Sequence, residues 1–135
     1  MFTYSEKFLE ILINRAKFGA PTAYNGVDPL AVEAIEGHYT DPSTGTLREL
    51  VALLLTGADN TLGQHGHDGM RGDVPIECKP INYKGGKSNA NGHGHINEHS
   101  WKRHSNYLEE GLIMQQSQFF YGDCAWVIEF PYKWI

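Results

Sequence analysis

Apolar residues recur at helical spacing through the first third of the chain. Phe8, Ile11, Leu12 and Ala16 fall on one face of a 5–18 segment, with Ser5 placed to cap its start and Gly19 to end it. Residues 20–27 carry Pro21, Asn25 and Gly26 and read as a loop. Asp28-Pro29 is a helix opening, a cap followed by proline in the first turn, for a second helix running to about Gly37. Residues 38–45 return to turn chemistry. A third helix opens at Thr46, with Leu47, Leu50, Val51 and Leu54 as its buried stripe and Gly57 as its end.

The pattern changes after Gly57. Nine of the fifteen glycines lie between Gly57 and Gly94, so the backbone there turns tightly or approaches something closely. Within this stretch, 64–70 and 73–79 read as two short strands around an Arg71-Gly72 hairpin turn. Residues 83–94 form a polar loop, 97–110 read as a helix, and 125–132 as an apolar, aromatic strand. Neither an internal repeat nor a linker divides the chain. The expectation is one α/β (α+β) domain over 1–135, with an N-terminal helical portion at 1–43 suited to dimerisation.

Composition narrows the class. A length of 135 residues allows one compact domain with a workable core. Sixteen aromatic residues and a charged fraction of 20% argue against disorder. No apolar run reaches the roughly 18 residues of a membrane span. The N-terminal run lacks the basic start and small-residue cleavage site of a signal peptide. Cys78 and Cys124 are far apart and in no CxxC pair, as suits reduced thiols. These features predict a cytoplasmic protein with no membrane partner.

The formal charge of -5 argues at first against a nucleic-acid partner. Its distribution reverses that argument. Residues 79–104 hold Lys79, Lys84, Lys87, Lys102 and Arg103 against Glu98 alone, with four of the seven histidines. A local basic patch steers a polyanion even on an acidic protein.

The most informative segment runs from His67 to Lys79. Strand side chains alternate faces, so Val74, Ile76 and Cys78 point toward a core while Asp73, Glu77 and Lys79 share the other face. Asp68 lies across the hairpin from them. Two carboxylates beside one lysine suit phosphodiester hydrolysis. Hard oxygen ligands hold Mg²⁺ with phosphate oxygens and water, the ion acidifies a bound water, and a lysine orients that water or stabilises the transition state. A lone Glu-x-Lys is common on solvated strands; the β-branched strand, the preceding Asp-Gly and the basic loop that follows are what raise it above that background.

These residues resemble the PD-(D/E)XK nuclease superfamily, and the run LLLTGADNTLGQHGHDG…IECKPIN resembles small type II restriction enzymes of the PvuII type. The local resemblance covers 53–82. It implies a restriction-endonuclease-like mixed sheet flanked by helices, in the order helix, three strands, helix, strand. It implies Asp68, Glu77 and Lys79 as catalytic residues, with Asp68, Glu77 and Cys78 at a Mg²⁺ ion for which Mn²⁺ substitutes. The substrate implied is double-stranded DNA, cut by a homodimer assembled through residues 5–38. His67 stands where the motif has proline, and Asp73 competes with Asp68 as a ligand. Glu49 is either a further acidic residue of the site or the partner of Thr46 in a capping box.

Beyond the strand, Lys84, Lys87, Lys102 and Arg103 are candidate phosphate contacts, and His93, His95, Asn97 and His99 candidate base contacts. Two other readings stay open. One is a non-catalytic nucleic-acid-binding module on the same scaffold. The other is an HNH-like histidine–metal nuclease built on His95, Asn97 and His99, although these fall within five positions and lack the usual strand–loop–helix separation.

Overall fold

The computed structural model describes residues 4–60, 67–85 and 101–134, with backbone alone at Trp101 and Arg103. The elements are α1 (Glu6–Phe18), α2 (Ala20–Ala23), α3 (Pro29–Thr40), α4 (Thr46–Leu55), β1 (Asp59–Asn60), β2 (Gly69–Arg71), β3 (Val74–Tyr83), α5 (Trp101–Glu110), β4 (Ile113–Phe120), β5 (Asp123–Pro131) and a 3₁₀ turn at Tyr132–Trp134. The fold is mixed α/β. Its five-stranded sheet has the order β1-β2-β3-β4-β5, antiparallel throughout except for the parallel pair β3–β4. Among the described residues, no helix is long and apolar enough to cross a membrane.

The helices form for the local reasons the pattern gives. Ser5 caps α1 by accepting from the Phe8 N–H at 3.2 Å, and Asp28 caps α3 by accepting from the Leu30 N–H at 2.8 Å. α3 continues to Thr40, three residues past Gly37. The α4 helix is buried almost all round through Leu47, Leu50, Val51, Ala52 and Leu53, so it is the central helix of the core. One cluster joins Leu12 and Ala16 of α1 to Tyr39, Leu47, Leu50 and Val51, with Phe119 from the sheet. A second packs Ala52 and Leu53 onto Ile76 and Cys78 of β3. A third, on the other sheet face, gathers Leu112, Met114 and Tyr132 beneath Tyr107 of α5.

The apolar stripe of α1 is thus spent inside the molecule. So is its cation. Arg15 is 4% exposed, forks onto Glu36 at 2.7 and 2.6 Å, donates to the Tyr121 carbonyl at 2.6 Å, and pairs with Asp123. Phe18 and Leu30 are the large apolar side chains that the described residues of 5–38 leave exposed.

Three departures from the sequence reading matter. The hairpin turn is Gly72-Asp73, because Gly72 takes φ +62°, a left-handed conformation that favours glycine; Arg71 instead ends β2. The β3 strand runs on past Lys79 to Tyr83, through Pro80. A further strand, β4, lies in the sheet interior, although Gln115, Gln116, Ser117 and Gln118 gave it no apolar signature. Gln115 and Ser117 are almost wholly buried there. Gln115 accepts from the Cys78 thiol at 2.8 Å and donates to Thr56 and Glu129 at 2.9 and 2.8 Å, which makes its burial tolerable.

Candidate active site

The ladder between β2 and β3 ends at the pair Gly69↔Ile76. One residue beyond it, Asp68 donates its N–H to the Ile76 carbonyl at 3.1 Å, so the chain is still held alongside β3 opposite Glu77. The Asp68 carboxylate then turns in and accepts from the Cys78 N–H at 2.7 Å. It takes the hydrogen bond that another residue of β2 would otherwise receive. Pro80 sits two residues on, with its missing N–H on the side of β3 past the end of the β2 ladder, where a strand tolerates proline.

Glu77 and Lys79 emerge from the other pleat of β3, and Lys79 Nζ lies 3.1 Å from Glu77 Oε1. Glu49 comes from the first turn of α4. A cleft of about 330 Å³ opens beside them, lined by Ser43, Thr44, Gly45, Thr46, Glu49, Cys78, Lys79 and Pro80. The hydroxyls of its wall come from the α3–α4 turn, which the sequence pattern marks only as a turn.

The electrostatics show how tightly these groups are coupled. Burial, then the charges of Asp68 and Glu77, push the Glu49 carboxyl up to about 8. Burial, then Glu77, push Asp68 up to about 6, even though the Cys78 N–H and Lys79 favour its charged form. Burial works against charge on Lys79, but Glu77, Asp68 and Glu49 outweigh it and hold the ammonium above its usual range. Three carboxyls therefore share one cation. Excess negative charge in a half-buried site is what a divalent ion relieves.

Glu49 does not close a capping box. The N-cap of α4 is Gly45, and no side chain caps that end. Thr46 is already the first helical residue, so Glu49 stands one place too far along to reach back, and its side chain faces the carboxylates. The Cys78 thiol faces the core. It is 1% exposed, bonded to Gln115, and raised well above its usual value by burial. A metal could reach Cys78 only through its main chain, whose carbonyl lies on the same strand edge as the N–H that holds Asp68. Asp73 is exposed in the hairpin turn, at the far end from Asp68. Among the described residues, no three His, Cys, Asp or Glu side chains alone converge on an ion position.

Of the remaining candidates, Lys84 and Lys102 have described side chains. Lys84 is exposed and donates to Thr40 Oγ1 at 3.1 Å, and Lys102 is exposed on α5. The side chain of Arg103, and Lys87, His93, His95, Asn97 and His99 entirely, lie outside the described residues. Glu129 is tied to Arg71 at 2.6 Å and to Gln115, away from the Glu77–Lys79 pair. One contact was not anticipated: His67 Nε2 lies 2.9 Å from a carboxylate oxygen of Glu110, the last residue of α5. No protein-family model, no curated protein and no solved structure matches this chain.

Proposed function

We propose that this chain is a divalent-metal-dependent endonuclease of the PD-(D/E)XK type, hydrolysing phosphodiester bonds of double-stranded DNA to leave a 5′-phosphate and a 3′-hydroxyl. The observation that carries the reading is the meeting of Asp68, Glu77 and Lys79 at the open end of the β2–β3 hairpin. The order α4, β1–β3, α5, β4, with β4 parallel to β3, agrees with the helix, three strands, helix, strand order of a restriction-endonuclease-like fold.

Asp68 and Glu77 would hold Mg²⁺, or Mn²⁺ in its place, with the Cys78 carbonyl beside them. Bound there, the ion supplies positive charge at the phosphate and a water of lowered pKa. Lys79 acts as an ammonium: the carboxylates around it favour its charged form, so it orients the attacking water and stabilises charge on the phosphate oxygens. Glu49 completes the carboxylate set from α4. The cleft beside Lys79 gives the DNA backbone a polar wall. Cutting both strands at once requires two such sites, hence a homodimer on DNA.

The deciding experiment is plasmid cleavage with Mg²⁺ by the parent and by Glu77→Ala and Lys79→Ala. Cutting is lost in both variants while their circular dichroism is unchanged. Cutting that persists in both overturns the site. Salt-sensitive binding without any cutting by the parent establishes the non-catalytic module instead. If His99→Ala abolishes cutting and Glu77→Ala does not, the histidine-based chemistry holds.

A further inference from the structure

Asp68 is the only proposed ligand without a regular strand or helix beneath it. The residue before it, His67, carries the fixing contact. Its imidazole is largely buried, with 13% of the side chain exposed, and its Nε2 meets the Glu110 carboxylate at 2.9 Å. The ring also lies 6.0 Å, centroid to centroid, from Tyr107, one helical turn before Glu110. Tyr107 in turn packs edge-on to Tyr132 at 5.2 Å, within the cluster that seats α5 on the sheet. His67 is therefore clamped to the C-terminal turn of α5 by one polar and one aromatic contact.

Among the described residues, Asp68 itself is hydrogen-bonded to β3, through Ile76 and Cys78. The motif that this segment resembles has proline at the preceding position, where the ring fixes φ from within the chain. Here the same position is fixed from outside, by a side chain reaching a neighbouring helix. We propose that His67 is a positioning residue, which with Glu110 ties the Asp68 corner to α5 and so makes the setting of the Asp68 carboxylate depend on how α5 is seated. The inference rests on the nuclease reading for its catalytic consequence only. α5 also carries the exposed Lys102, so a polyanion bound along this helix would act on the carboxylate through the His67–Glu110 link.

The test reads the Cys78 amide, the donor to Asp68, by hydrogen exchange in the metal-free protein, alongside cleavage kinetics. His67→Ala and Glu110→Ala each speed exchange of the Cys78 N–H, and the double variant is no faster than either single one, because both remove the same link. Amides of the β3–β4 ladder keep their protection. Glu110→Gln, which still accepts from the imidazole, restores the parent behaviour. In the cleavage assay kcat falls about tenfold, as is typical when the partner of a ligand-bearing segment is lost, while KM stays within about twofold. An unchanged Cys78 amide, additive effects, or loss of protection across the whole sheet overturns the proposal. A parent that cuts no DNA ends the nuclease reading, and the exchange data still decide the positioning role.

Discussion

The Asp68 carboxylate accepts from the Cys78 main-chain N–H at 2.7 Å, and that single bond turns the end of a strand into the corner of a site. A backbone donor survives every substitution but proline, so the aim of this carboxylate is built into the path of β3. Its charge can be removed. In Asp68→Asn the amide oxygen still accepts from Cys78, and a buried charge among carboxylates is gone. The expected outcome is a metal-free protein that melts at a higher temperature at pH 8 than the parent. Its Mg²⁺-dependent cutting falls by on the order of 10²-fold. A melting temperature below the parent's would show that the charge at Asp68 is satisfied in the folded protein.

Glu49 makes the metal-free protein sensitive to pH. Its folded-state value of about 8 stands above the ordinary 4.5, so the folded form retains a proton that the unfolded form gives up. The stabilising contribution is complete below pH 4.5 and is lost as pH rises through 8. Asp68 adds the same trend between 3.8 and about 6. Glu49→Gln removes the larger part, so the gap in melting temperature between this variant and the parent widens from pH 5 to pH 8. Comparison with the variant cancels groups shifted the other way, such as Glu36 and Glu129.

On the nuclease reading, Mg²⁺ should reverse that loss. An ion that binds deprotonated carboxylates stabilises only the folded chain. Thermal melts with and without Mg²⁺ should therefore separate further at pH 8 than at pH 5.5 in the parent, and coincide in the Asp68→Ala, Glu77→Ala double variant. Equal separation in both proteins would place the ion elsewhere.

Gly69 is required for space. A Cβ there would lie 2.6 Å from Leu53 Cδ2 and 2.7 Å from the Asp59 carbonyl oxygen. The side chain could give way, but the β1 backbone could not. Gly69→Ala should cost about 1–3 kcal/mol by overpacking, read from urea unfolding. Because Asp68 is the adjacent residue, cutting should fall by more than the folded fraction does.

Arg15 carries the docking of the helical portion. Arg15→Met leaves Glu36 half-buried without its guanidinium and the Tyr121 carbonyl without its donor. Loss of hydrogen bonds to charged, part-buried groups costs about 1.5–3 kcal/mol, measurable as a lower urea midpoint at constant slope. Methionine fills much of the same volume, so a small change would mean that the network contributes little beyond packing.

The parts of this molecule legible in its sequence are those where local chemistry and tertiary environment agree. The Ser5 and Asp28 caps, the apolar stripe of α4 and the alternation around Glu77 and Lys79 are of this kind. The strand β4 was invisible because its buried polar side chains are satisfied by residues distant in sequence, Cys78, Thr56 and Glu129 among them. Glu49 was ambiguous for a similar reason. Thr46-Leu-Arg-Glu49 has capping-box spacing, and only the entry of the chain at Gly45 moves the register by one and releases the carboxylate toward the site. The α2 helix (Ala20–Ala23), one turn long, has no periodicity to detect.

Except for Glu49, the proposed chemistry occupies twelve consecutive positions, 68–79, inside a hairpin and its immediate continuation. β4 then joins β3 in parallel, and parallel neighbours cannot be joined by a tight turn. The chain from Tyr83 to Ile113 must therefore make a crossover, of which α5 is part. Doubling the length of such an excursion costs only about 0.6 kcal/mol of closure entropy. A change in the length of the chain between Tyr83 and Ile113 therefore leaves the paired strands that carry Glu77 and Lys79 in register.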